Sequence, residues 1–230
     1  MKYKNLIFLG TSHIAKQSLE EVRKMIKEEK PDILALELDT KRLDVLMSSE
    51  KRKIEMKIIR SVGLKGFLFS LFGAWAEKKL GKLVGVAPGS EMKQAVLIAR
   101  KENLKIALVD QDIEITLRNL SNSLSWKEKM NFVADIFKAM FLKGERVDFD
   151  LSTVPGKKVI KKLTGRLKER YPNLHKTLIE ERNVVIADNL KKLMYSEPDK
   201  KVLVILGAGH IDDVLKILKE QGISYSFSVG

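Results

Sequence analysis

Three histidines occur in the 230 residues of this chain, and two of them share one local context at opposite ends of the sequence. The stretches "LIFLGTSHIAKQS" and "VLVILGAGHIDDVLKIL" each run from apolar residues into Gly-x-x-His and then into a helical pattern, placing His13 and His210 alike. A glycine three residues before each imidazole lets the chain turn sharply and brings backbone N–H groups close to a ligand. Two other apolar runs end in carboxylates, Glu37 and Asp39 after "ILAL", Asp110 and Asp112 after "KIALV". Two imidazoles with one or two carboxylates suit a divalent metal with open positions, zinc or, with more oxygen donors, manganese or cobalt. Such an ion lowers the pKa of a bound water and polarises a carbonyl. Plainer roles stay open. Gly-x-x-His is a short pattern that chance also produces. Glu37 can cap the next helix or pair with Arg42, and Asp110 and Asp112 can cap the helix that begins near Ile113.

The elements that must position these residues are legible as apolar runs. "NLIFLG", "ILALEL", "KIALVD" and "VLVILG" are continuously apolar, as strands covered on both faces of a parallel sheet are. "ISYSFSV" alternates and is expected as a fifth, edge strand. "QSLEEVRKMIKEEK" is a helix that stops before Pro31, "GSEMKQAVLIARKEN" a helix with Ser90 at its N-cap, and "IDDVLKILKEQG" a last helix closed by Gly222. The order predicts an α/β fold: a small, mainly parallel central sheet of about four to six strands with many helices. Helical insertions are expected at about 51–83 and 121–195, within a single domain over 1–230, because no Gly/Ser/Pro-rich linker divides the chain. In such sheets ligands bind beyond the carboxyl ends of the strands. Four strand ends would therefore bring His13, Glu37, Asp110 and His210 to one side.

Composition removes whole classes of chemistry. There is no cysteine, hence no disulfide, thiolate nucleophile or Cys-based zinc site, which fits a cytoplasmic setting. The balance of 43 basic against 30 acidic residues gives a formal charge of +13. No signal peptide or membrane span is expected, since charged residues interrupt the most apolar stretch, "SVGLKGFLFSLFGAWAEKKLG".

Six motifs in order, "GTSH", "ALELDTKR", "PGSEMKQAVLIA", "LVDQDIEITLRNL", "EERNVVIADNL" and "VILGAGH", cover almost the whole chain. Together they resemble the TraB family, with its pheromone-shutdown proteins and archaeal homologues, and more distantly the TIKI proteases and the erythromycin-esterase and ChaN-like proteins. The resemblance implies that His13, Glu37 and His210 form the active centre and its metal site. It adds Arg42, Arg118 and Arg182, with Glu91 from "PGSEM". It implies a metal-dependent hydrolase acting on peptide bonds; the alternative is a non-catalytic domain that binds a peptide or small ligand in the same pocket. One departure stands out: Gln111 follows Asp110 where the family pattern has arginine.

The arginines can pair with Glu37 and Asp110 or hold a substrate carboxylate through two parallel donors. Arg182 is expected at the substrate, with Asn183 hydrogen-bonding beside it. His175 lies outside the pattern and reads as a surface or lid residue, and Trp75 and Trp126 as core or interface residues. "KRKIEMKIIR" and "PGKKVIKKLTGRLKER" are solvated faces or docking sites for an anionic membrane surface. Nucleic acid is disfavoured, because no recognition motif accompanies the basic runs. A homo-oligomer is left open.

Overall fold

The computed structural model describes residues 1–11, 16–48, 89–141 and 156–226. Its centre is a five-stranded sheet of β1 (Lys2–Tyr3), β2 (Leu6–Thr11), β3 (Ile33–Leu36), β4 (Lys105–Leu108) and β5 (Val202–Gly207). The order is β1-β2-β5-β3-β4. β5 lies in the middle, parallel to β2 with Leu6 opposite Val202, and parallel to β3 with Ile33 opposite the same residue. β4 is parallel to β3, and only β1 runs antiparallel, against β2. The four apolar runs are thus the four parallel strands.

Because successive strand residues face opposite ways, each run feeds two cores. Val202, Val204 and Leu206 point to one face with Leu6, Phe8, Ile33 and Ala35. Two helices cover that face: α8 (Glu181–Ser196) through Ile186, Ala187, Leu190 and Met194, and α9 (Ile211–Ser226) through Val214 and Leu218. Leu203 and Ile205 point the other way, with Ile7, Leu34 and Leu36. There α1 (Lys16–Glu29) contributes Val22 and Ile26, and α3 (Ser90–Lys101) contributes Met92, Ala95, Val96 and Ala99. The remaining helices are α2 (Thr40–Met47), α4 (Ile113–Ser123), α5 (Trp126–Phe141), α6 (Lys157–Arg170) and the short α7 (Pro172–His175). A π-helical turn, Lys176–Glu180, joins α7 to α8.

Three expectations are corrected. The last helix does not close at Gly222: α9 continues through Ser226, so "ISYSFSV" begins as helix rather than as an edge strand. One interior glycine costs only about 1 kcal/mol relative to alanine, which adjacent helical residues can absorb. The edge strand is instead β1, two residues long. The helix at 90–101 is capped by Gly89, whose φ of 73° suits a residue without Cβ, and Ser90 is its first helical residue. The described residues of 121–195 are mostly helical, and α8 among them forms part of the main core. The insertion expected at 51–83 lies outside the described residues.

One corner of the fold is tied by the α5 N-terminus. Ser125 and Glu128 form a reciprocal capping box: the Ser125 N–H donates to Glu128 Oε2 at 2.9 Å and the Glu128 N–H to Ser125 Oγ at 3.2 Å. Glu128 also accepts from the Asn173 N–H at 2.8 Å, Asn173 Nδ2 at 2.9 Å and the Leu174 N–H at 3.3 Å. One buried carboxylate therefore serves the starts of α5 and α7. Burial alone would raise its pKa, but the Asn173 and Ser125 donors outweigh that and bring it down to about 2.

Candidate functional site

Helices that precede a parallel strand begin at the carboxyl edge of the sheet, and helices that follow one begin there too. That topology places the N-termini of α2, α3, α4, α8 and α9 around the ends of β3, β4 and β5. Glu37 follows β3 directly and is 3% exposed; Asp110 lies just past β4, and His210 three residues past β5. Arg182 and Asn183 come from the first turn of α8, and Arg42 from α2.

Arg182 is the hub. Its Nη2 donates to Glu37 Oε1 and to Asp110 Oδ2, each at 2.5 Å, while Nε donates to Asp110 Oδ1 at 3.1 Å. Its Nη1 donates to the Leu178 carbonyl, 3.1 Å away in the π-helical turn. Such turns occur often at functional sites. Arg42 also donates to Asp110 Oδ2, the oxygen that Arg182 Nη2 reaches, and donates through Nε to Asp39 Oδ2 at 2.5 Å. Asp39 also caps α2, accepting from the Lys41 and Arg42 N–H groups. The second oxygen of Glu37 accepts the Gly207 N–H at 2.5 Å, so both its oxygens are held by N–H donors.

His210 is buried beside this cluster. Its Nδ1 is 2.6 Å from Asn183 Oδ1, and its Nε2 is 3.4 Å from Glu37 Oε1. Burial alone would raise the pKa of Asp110. The Arg182 hydrogen bond and the charges of Arg182 and Arg42 outweigh it, against the pull of Glu37, and hold Asp110 below the usual carboxylate range. Burial works against the charge on Arg182, but Glu37 and Asp110 more than compensate and raise its pKa. Among the described residues, the carboxylates of Glu37, Asp39 and Asp110 pair with the guanidinium groups of Arg42 and Arg182.

The structure thus brings Glu37, Arg42, Asp110, Arg182, Asn183 and His210 together. Glu91 is buried in the first turn of α3, at the same edge of the sheet on the α1/α3 side. Arg118 is exposed on α4 and makes no contact with the cluster. His13, Trp75 and the residues around them lie outside the described residues. Arg182, expected at the substrate, spends its donors on Glu37, Asp110 and Leu178, and Asn183 spends its oxygen on His210. His175, read as a surface or lid residue, is 7% exposed, with Nδ1 3.3 Å from Glu180 Oε1. Trp126 is 76% exposed rather than packed in a core. Gln111, in place of the expected arginine, turns away to donate from Nε2 to Thr116 Oγ1 at 2.9 Å.

Sequence reasoning named Asp39 at a strand end without giving it a role, and missed Asp213, which accepts from Asn183 Nδ2. The signal for Asp39 was present: an aspartate directly before a helical pattern is a preferred N-cap.

The profile of the TraB/PrgY/gumN family matches residues 2–226. The chain belongs to this family. Among its relatives is an uncharacterised protein of Methanocaldococcus jannaschii, 34% identical over 221 residues that make up 94% of this chain and 54% of that protein. The TraB domain-containing proteins of Mus musculus and Homo sapiens are each 24% identical over 232 residues, 90% of this chain and 61% of theirs. The TraB chain therefore spans little more than half the length of these curated relatives. Among its described residues no helix is long and apolar enough to cross a membrane.

A divalent ion was expected at His13, Glu37 and His210. Among the described residues, no three histidine or acidic side chains form a metal-holding group, and His13 lies outside them. The two expected donors that are described fit such an ion. Two ligands about 2.1 Å from a tetrahedral ion lie about 3.4 Å apart, the spacing of His210 Nε2 and Glu37 Oε1. The outer nitrogen of His210 is engaged by a buried amide, as ligating imidazoles usually are.

Proposed function

We propose that this TraB chain is a metal-dependent hydrolase, acting on peptide bonds, whose reacting centre is His210 with Glu37. The observation that carries the reading is the pairing of His210 Nε2 with Glu37 Oε1 at 3.4 Å, beside the arginine-bridged carboxylates at the ends of β3 and β4. His210 and Glu37, with His13, are the residues that would hold a divalent ion, zinc, manganese or cobalt. When bound, it would supply an activated water and a polarised substrate carbonyl.

The protein's own groups do the rest. Asp110 orients the centre or takes the proton of the attacking water, which is then returned to the leaving amine. Arg182 holds Glu37 and Asp110 in place, and Arg42 adds a second positive charge at Asp110. With its donors so engaged, we assign Arg182 to positioning rather than to holding a substrate carboxylate. Cleavage of a peptide library with added manganese, cobalt or zinc tests the reading. The parent should cleave, His210→Ala should not, and Gln111→Arg should keep or raise turnover. Metal-dependent peptide binding without cleavage by the parent or by Gln111→Arg would sink the hydrolase and leave a binding domain on the same pocket. Gln111 is the observation that favours this second reading, since a neutral amide bonded to Thr116 cannot supply an arginine's charge.

A docking face belongs to the same proposal. Helix α6 exposes Lys158, Lys161, Lys162 and Arg166, whose spacing puts them on one side. None of the four has an acidic partner among the described residues. We infer that this face meets an anionic membrane surface from the cytoplasmic side.

A further inference from the structure

His210 opens α9, and two residues of different helices stand behind it. Asn183 Oδ1 is 2.6 Å from its Nδ1, and on the other side of the same amide Asn183 Nδ2 donates to Asp213 Oδ2 at 3.3 Å. A carboxylate only accepts hydrogen bonds, so the NH2 end of the amide is the end that faces Asp213. The oxygen end therefore faces His210. An oxygen accepts, so Nδ1 of His210 must carry the hydrogen. In the neutral ring Nε2 then bears a lone pair, and that lone pair lies toward Glu37 Oε1. Asn183 is 1% exposed, so water does not compete for its oxygen.

We propose that Asp213 is a positioning residue: acting through Asn183, it fixes His210 in the Nδ1–H tautomer and so leaves Nε2 as the lone-pair nitrogen that faces Glu37. The ordinary role of an aspartate in the first turn of a helix is to complement the helix dipole, and Asp213 occupies such a place in α9. Its reach to an amide on α8 is what that role does not require. The orientation of one buried amide decides which imidazole nitrogen faces Glu37. The purpose of this relay rests on the hydrolase reading, but the tautomer itself does not depend on any cleavage.

The experiment uses the full chain, 15N-labelled and freed of metal with a chelator. Long-range imidazole 1H–15N spectra are recorded at about pH 9, well above the ordinary histidine range. With three histidines, variants at His13 and His175 identify the His210 signals. The parent should show Nδ1 protonated and Nε2 bare. Asp213→Ala should give a mixture of both tautomers, Asp213→Glu should restore the parent pattern, and Asn183→Leu should lose the preference altogether. Asp213 is exposed, so its variants should fold as the parent does, which thermal unfolding verifies. An Nε2-protonated or still doubly protonated His210 in the parent overturns the proposal. So does a parent-like spectrum for Asp213→Ala, which would leave Asp213 as a helix-start residue only. Absence of peptide cleavage alone would count against the hydrolase and not against the relay.

Discussion

Replacing Arg182 with methionine removes one charge and four donated hydrogen bonds at once. Two go to Asp110, one to Glu37 and one to the Leu178 carbonyl. Asp110 keeps Arg42, and Glu37 keeps the Gly207 N–H, but the two carboxylates lose the cation they share. Breaking one partner out of a buried ion pair costs about 3–5 kcal/mol, because the remaining charge stays buried without compensation. Against a domain stability of about 5–15 kcal/mol, that is a large fraction. The penalty should depend on pH in a defined direction. In the parent, Asp110 is held below its ordinary pKa of 3.8, so its contribution is fully present above that value and lost as pH falls through the lower folded value. The variant lacks that contribution, so the two proteins should differ most at neutral pH and converge in acid. Urea unfolding followed by circular dichroism at neutral pH and below pH 4 measures both. Arg182→Met combined with Asp110→Asn should recover about 1–3 kcal/mol relative to additivity, the range for residues in one network. A cost below about 1 kcal/mol at neutral pH, or strict additivity with Asp110→Asn, would refute the hub role.

Glu128→Gln should lose about 3 kcal/mol at neutral pH, the equivalent of moving a carboxyl from 4.5 to about 2. Since a lowered carboxylate stabilises above its unfolded pKa, the parent should shed this advantage as pH falls from about 4.5 to about 2, and urea midpoints across that window should show it meeting the variant. Reversing Lys158, Lys161, Lys162 and Arg166 to glutamate should abolish co-sedimentation with anionic vesicles, where each cation contributes about 1 kcal/mol; equal binding to neutral vesicles by the parent would mark a merely solvated face.

Much of the fold was legible because it is written locally. Each parallel strand is an unbroken apolar run, and the strand–helix alternation placed Glu37, Asp110 and His210 at one edge without any distance. What stayed hidden depends on contacts between distant segments. Arg182 sits in a helix whose sequence gives no sign that its guanidinium will meet carboxylates 72 and 145 residues away, so a substrate role looked equally reasonable. The π-helical turn before it has no simple residue code. The two-residue β1 is too short for any periodicity to register. Gly222 looked like a helix end because the helix-closing use of glycine is commoner than its interior use, yet α9 runs on.

The place of β5 bears on how the protein is made. The strand that fills the middle of the sheet is the last of the five to leave the ribosome. Until Val202–Gly207 emerges, β2 and β3 each present an edge of unsatisfied backbone groups across a gap the width of one strand. A nascent chain that has completed β4 therefore has no closed core and no site, since Gly207 and His210 have yet to arrive. Leu6 must wait for a partner at Val202, and closure over so long a loop is slow. Assembly of the candidate site is thereby held to the end of synthesis, and until then the open edges of β2 and β3 can pair with a neighbour's.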